Sequence, residues 1–357
     1  MNRLLAALAL LASLSVSCKT GDTGELKMNV QRIWESEKHC AFTSIVQYKG
    51  LYYVAFREAD RHVFDYDDVA RGRIRILVSK DGESWTSAAC LTRQGFDLRD
   101  PSLSVTPDGR LLVSTGGSVY NADKLLERRA PMYSFSTDGK HFSEPEEIEV
   151  KSSLLSGKDW LWKVDWNGDT GYGVVYSDFG TDSPGYGTDT RAFLVKTKDG
   201  IHYEEVVAFD VDGRPNEAAV HFLPDGRMLM LLRREADDGQ GVFGISEAPY
   251  TDWKLQKTGI RLGGPNFIVT GEDSFIAGTR MHYLPGSCKT VLVKGTSEGL
   301  KEEVCILPSG GDTSYPGFLI VGDELWVSYY STHETPKAAV YLAKIPLSMF
   351  EKKTDNK

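Results

Sequence analysis

An apolar stretch, a short turn carrying glycine and a second apolar stretch recur along this chain, and the recurrence limits the fold more than any other feature. The unit runs from Ile45 to Phe56 around Lys49-Gly50, from Leu103 to Ser114 around Asp108-Gly109, from Trp162 to Tyr176 around Asn167-Gly168, and from Val220 to Leu232 around Asp225-Gly226. Looser copies span Phe267 to Ala277 around Gly271 and Phe318 to Tyr329 around Gly322. Asp-Gly and Asn-Gly between apolar residues mark tight hairpins, because both turn residues must accept positive φ. Six such units at intervals of roughly 45 to 60 residues match the four strands per blade of a propeller. No helical period runs long enough for an all-α layer. The predicted class is therefore all-β, a six-bladed β-propeller filling residues 29–350. A closed ring needs its ends joined, so Val30 to Ser36 is expected to complete the last blade beside Ala338 to Ile345.

A second unit falls between copies of the first. It reads Ser79-Lys80-Asp81-Gly82-Glu83-Ser84-Trp85, then Ser136-Thr137-Asp138-Gly139-Lys140-His141-Phe142, then Thr197-Lys198-Asp199-Gly200-Ile201-His202-Tyr203. A looser version lies at Ser246 to Trp253. The hydroxyl and the Asp can satisfy turn amides while the closing ring packs under the hairpin. These turns resemble the Asp-box of sialidases and related propellers, and are expected to be structural and to face away from any site.

The chain has 357 residues and a net charge of −9, with no basic cluster. That sign argues against nucleic acid and against a polybasic membrane contact. An anionic substrate would need a local cationic pocket. At the N-terminus, Arg3 precedes an apolar run from Leu4 to Leu14, too short for a permanent membrane span and suited to a secretory signal. Ser15-Val16-Ser17-Cys18 resembles a lipoprotein cleavage site, with Ser15 where Leu is usual. Residues 1–18 are read as a signal ending at Cys18, the site of a lipid anchor, and residues 19–28 as a tether. The expected location is the cell envelope, periplasmic or outer-membrane anchored, with plain secretion as the alternative. The remaining Cys40, Cys90, Cys288 and Cys305 fit no zinc spacing. Cys288 and Cys305 are read either as a cross-strand disulfide or as small buried thiols. Nothing in the sequence calls for a metal or cofactor.

The order of motifs resembles the sialidase superfamily over nearly the whole mature chain. The nearest segment is Pro215-Asn216-Glu217-Ala218-Ala219-Val220, running through Asp225-Gly226 to Arg233. The next is Thr313-Ser314-Tyr315-Pro316-Gly317, followed by Leu325 to Tyr330. The resemblance implies an exo-acting, retaining glycosidase on a glycan substrate, with Tyr315 as nucleophile and Glu217 as its base. Such chemistry suits a sugar with a carboxylate on its anomeric carbon, since a neutral Tyr approaches it without like-charge repulsion. Arginines clamp the carboxylate bidentately, and Arg233, Arg280 and Arg57 are the candidates. The resemblance places the general acid among Asp65, Asp67 and Asp68, with Asp67 preferred and His62 as rival.

One departure from the family is plain. Where sialidases carry a first clamp Arg, this chain has His39-Cys40-Ala41-Phe42-Thr43-Ser44. Arg57 or Arg99 would have to compensate, and His39 joins the candidate substrate contacts. Two other readings stay open: a polysaccharide lyase or unusual glycosidase using His39 or His62 with a Tyr on a uronate, and a surface glycan-binding lipoprotein without turnover. Trp160, Trp162 and Trp166 alternate at strand-like positions, at least one for the core and another for a sugar-stacking rim. His333-Glu334 reads as a loop feature.

Overall fold

The computed structural model describes residues 14–17, 27–62, 71–180, 189–284 and 287–351. Its strands form six sheets arranged as the blades of a β-propeller. Blade 1 is His39–Tyr48, Leu51–Ala59, Arg73–Ser79 and Thr86–Leu91, and blade 2 is Asp97–Val105, Leu111–Tyr120, Leu126–Ser136 and Glu146–Glu147. Blade 3 is Asp159–Asn167, Thr170–Asp178, Thr190–Thr197 and His202–Ala208, with Glu149–Lys151 added in parallel on its outside. Blade 4 is Pro215–Phe222, Met228–Arg234, Val242–Ser246 and Lys254–Lys257, and blade 5 is Asn266–Gly271, Ser274–Leu284, Ser287–Thr296 and Gly299–Ile306. Blade 6 takes Thr313–Val321, Glu324–Ser331 and Ala339–Pro346 from the C-terminal side and Lys27–Trp34 from the N-terminal side. Val30 pairs with Ala343 and Trp34 with Val340, which closes the ring. Leu14–Ser17 pairs in turn with Lys27–Val30. A short 3-10 turn at Leu347–Phe350 is the one helical element among the described residues.

Apolar residues pack between neighbouring blades rather than in one central core. Blades 1 and 2 meet through Tyr53, Ile74, Leu98 and Leu111, blades 4 and 5 through Leu229, Phe243, Phe275 and Val291, and blades 6 and 1 through Val54, Phe56, Trp326 and Leu342. A middle strand is covered on both faces, which removes the need for alternation. Met228–Arg234 shows this, with every residue buried. Each such aliphatic side chain gains about 1.5–3 kcal/mol on burial.

The hydroxyl-Asp-Gly turns join the third and fourth strands of blades 1 to 3. In the first, Ser79 Oγ accepts the Gly82 amide at 2.8 Å, and Asp81 Oδ1 accepts the Glu83 and Ser84 amides at 2.9 Å each. The same pattern holds at Ser136-Asp138 and Thr197-Asp199. The amides of Ser84 and Glu83, with the Ser79 hydroxyl, hold the Asp81 carboxyl down at about 2. Gly82 has φ +72, and a Cβ there would lie 2.0 Å from the Trp326 ring of blade 6. Each turn thus also receives its neighbour, in addition to packing under its own hairpin.

Cys288 and Cys305 are not opposite one another. Cys288 faces His282 and Cys305 faces Leu292, four residues further along the strand, so the cross-strand disulfide does not form. Cys18, Asp65, Asp67 and Asp68 lie outside the described residues, so the lipid anchor and the preferred acid carry no structural account.

Candidate active site

The inner strands do not run as regular ladders. In five blades the register slips near the strand's start, leaving two residues out of the pairing: Phe42-Thr43, Asp100-Pro101, Trp162-Lys163, Asn216-Glu217 and Tyr315-Pro316. A bulge breaks the in-out alternation of side chains and re-aims the extra residue. Three of the bulged residues are held at positive φ, Phe42 at 65°, Asp100 at 50° and Tyr315 at 54°. Such backbone costs of order 1–3 kcal/mol for a residue with a Cβ, and it collects where function needs it. Phe42, Thr43, Asp100, Pro101, Trp162, Lys163 and Tyr315 line one small pocket. The bulges are what bring them together.

Tyr315 and Glu217 meet there. The Tyr315 hydroxyl donates to Glu217 Oε1 at 2.6 Å. Glu217 Oε2 accepts Arg233 Nη1 and the Gly264 amide, both at 2.9 Å. Burial alone would raise the Glu217 carboxyl, but Arg233 and the Tyr315 hydroxyl outweigh it and hold it below the usual range. Burial, then Glu217 and Asp100, push the Tyr315 phenol far up, so it rests protonated. Gly264 has φ +60, and a Cβ would sit 2.6 Å from the Tyr315 ring. Only glycine lets the backbone both donate to Glu217 and pass under Tyr315.

Cations surround this pair. Arg233 also bonds Glu235 Oε1 at 2.6 Å, and Arg261 holds the other oxygen of Glu235 at 2.7 Å. Arg280 acts electrostatically on Tyr330, Tyr315, Arg233 and Glu217, and its Nε is buried without a hydrogen-bond partner among the described residues. Burial lowers the Lys163 amine to about 8 against the pull of Asp100 and Glu217. Asp100 Oδ1 is likewise buried without a partner, and burial, against the pull of Arg99, raises the carboxyl to about 6. The pocket therefore holds one firmly ionised carboxylate and one that protonates near neutrality, the paired environments that acid–base chemistry requires.

The other sequence candidates have different surroundings. Arg57 is wholly buried. It gives Nη2 to Asp97 at 2.9 Å and Nη1 to the Arg61 carbonyl at 2.9 Å, and so braces the loop after the second strand of blade 1. Arg99 bonds the His62 carbonyl at 3.1 Å and lies over the Phe42 ring. His39 Nε2 and His62 Nδ1 both contact Asp312 Oδ2, at 2.7 and 2.8 Å. Phe42 stands between His62 and Tyr315, with ring centroids 5.2 and 4.7 Å away. Trp160 is buried beside Tyr176, Trp162 is buried with its ring 5.5 Å from Tyr315, and Trp166 bonds Ser104 at the far end of the strand. None of the three stands at the rim as a stacking platform. Glu334 ties Arg32 to Tyr341 across blade 6, with the His333 ring against Tyr341, which makes that pair part of the closure. Sequence reading missed Asp100, Lys163, Asp312 and Gly264. Asp100 had a signal, since Asp-Pro inside a strand marks a break in the ladder.

No family model matches the chain, and no curated protein matches it in sequence. Solved structures do match in shape. A protein of unknown function from Dyadobacter fermentans aligns with a TM-score of 0.75 and 18% identity over 94% of this chain and 99% of that one. The sialidase of Trypanosoma rangeli aligns with a TM-score of 0.65 and 12% identity, covering 96% of this chain and 61% of that one. An α-L-arabinanase of Penicillium chrysogenum aligns with a TM-score of 0.62 and 17% identity, over 87% of this chain and 94% of that one. This chain therefore shares the six-bladed propeller fold on which those enzymes are built.

Proposed function

We propose that this protein is a retaining, exo-acting glycosidase that removes a terminal anionic sugar. The reading rests on one observation above the rest, the 2.6 Å contact between the Tyr315 hydroxyl and Glu217 Oε1. A phenol held this way is a nucleophile with its base in place. As Tyr315 Oη bonds the anomeric carbon, its proton passes to Glu217 Oε1. Asp100, protonated below about 6, gives its proton to the departing glycosidic oxygen. The resulting glycosyl-tyrosine is cleaved by water, with the Asp100 carboxylate taking the water's proton and Glu217 returning its own to Tyr315. Arg233, Arg280 and Lys163 supply the positive field for an anionic substituent. The likeness in fold to a sialidase and an arabinanase fits a glycan substrate.

The lyase reading, with His39 or His62 as base beside a Tyr, is less well supported, because both rings turn a nitrogen to Asp312 and Phe42 packs between His62 and Tyr315. The deciding experiment is turnover of aryl glycosides, a sialoside and an α-L-arabinofuranoside, by the wild type and Tyr315→Phe. Sialoside hydrolysis by the wild type alone supports the reading. Arabinoside hydrolysis keeps the glycosidase and overturns the anionic sugar. No turnover of either by folded protein overturns both, and glycan binding unchanged in Tyr315→Phe then favours the non-catalytic alternative. We further propose that a lipid on Cys18 holds the protein at the cell envelope; Cys18→Ser is expected to abolish labelling by a palmitate analogue and release the protein from membranes.

A further inference from the structure

His39, His62 and Asp312 come from the first strand of blade 1, the loop just after its second strand and the entry to blade 6. His62 and Asp312 are 250 residues apart in sequence. Their donor atoms, one from each side chain, all lie within 4.8 Å of one another. The His39 side chain is 8% exposed and fixed in the wall, whereas His62 and Asp312 are 34% and 29% exposed and reachable from solvent. The carboxylate Oδ2 is 2.7 Å from His39 Nε2 and 2.8 Å from His62 Nδ1. Both imidazole nitrogens converge on one carboxylate oxygen, so an ion with metal bonds of about 2.1 Å fits where they converge once the carboxylate turns to ligate it from the side.

We propose that His39 Nε2, His62 Nδ1 and Asp312 Oδ2 bind a first-row divalent transition-metal ion. Two imidazoles and one carboxylate on one face of an octahedron select such an ion over calcium or magnesium, which take mostly oxygen ligands. The opposite face is left for oxygen donors, such as water, a carboxylate or the neighbouring hydroxyls of a sugar. A dication neutralises the Asp312 carboxylate and replaces the protons that the two rings otherwise direct at a single oxygen. Arg99, which bonds the His62 carbonyl, and Arg57, which bonds the Arg61 and His62 carbonyls, fix the backbone that presents the second imidazole. The site is separate from Tyr315 and Glu217, with Phe42 packed between, and stands whether or not the chain is a glycosidase.

The test is calorimetric titration of the full-length, chelator-treated protein with Zn²⁺, and with Co²⁺ followed by its visible absorption. One equivalent is expected, with affinity lowered at least about 100-fold in His39→Ala and in Asp312→Asn. The cobalt spectrum should be the weak one of a six-coordinate ion, and excess Ca²⁺ should not displace it. Circular dichroism of the metal-free variants shows whether they fold, and His62→Gln gives a third variant at the more exposed position. Absence of binding to folded wild type overturns the proposal. Binding that persists in folded His39→Ala and His62→Gln overturns it as well, since the ion then sits on surface histidines such as His141 or His202.

Discussion

At the scale of single residues, the site is a set of opposed protonation states produced by unequal surroundings. Tyr315 and Glu217 share one short hydrogen bond, yet burial keeps the phenol protonated while Arg233 keeps the carboxylate ionised. Tyr315→Phe and Glu217→Gln are each expected to lower kcat by about 10²–10⁴-fold, and Glu217→Gln should also lower the urea midpoint, because it takes one carboxylate partner from the buried Arg233. Asp100 has the opposite sign. Its folded-state value near 6 exceeds its ordinary 3.8, so its stabilising contribution is complete below about 4 and lost as pH rises through 6. Asp100→Asn should therefore leave stability unchanged at pH 4 and raise it at pH 8 by on the order of 2 kcal/mol, measured by urea unfolding at both values. If Asp100 is the acid, kcat of the wild type is expected to fall above pH 6, and the same substitution should lower kcat and remove that pH dependence.

At the scale of elements, bulges and turns perform separate tasks at opposite ends of a blade. The bulges at the starts of the inner strands turn Phe42, Asp100, Trp162, Glu217 and Tyr315 out of the ladder. Gly264 makes the tightest of these arrangements possible, and Gly264→Ala drives a Cβ to 2.6 Å from the Tyr315 ring. A loss of about 1–3 kcal/mol in urea unfolding is expected, with kcat falling as the Tyr315–Glu217 contact opens. At the other end, the hydroxyl-Asp-Gly turns fasten a blade and its neighbour. Ser136→Ala removes the acceptor that holds the Gly139 amide and should cost about 1 kcal/mol, with kcat unchanged.

At the scale of the whole molecule, stability depends on closing the ring. Val30 is 4% exposed and packs in the apolar cluster of blades 5 and 6 with Leu292, Val327 and Ala343, so Val30→Asp places a carboxylate among apolar side chains. A loss of more than about 3 kcal/mol is expected, read as a lower urea midpoint. The acidic balance of the chain, −9, coexists with Arg233, Arg280 and Lys163 gathered around Glu217 and Asp100. The pocket's field is local, short-ranged and shielded by burial, so the overall sign does not exclude an anionic substrate.

The sequence by itself determined the number of blades, the position of each hairpin and the strand that closes the ring, because these depend on apolar runs and turn residues close together in the chain. It also singled out Tyr315, Glu217 and Arg233, each of which lies in or beside a recognisable strand motif, and Arg280 on a looser pattern. It could not show the partner of Arg57, since nothing local indicates that Asp97 lies beside it after folding. Tertiary structure decided the rest. Asp312 joins His39 and His62 only when blade 6 docks on blade 1, across 273 and 250 residues. Asp100 acquires its raised value only once the bulge buries it beside Tyr315 and Lys163. Local patterns encode strands and turns, whereas the electrostatics of the pocket arise from groups that the closed ring alone makes neighbours.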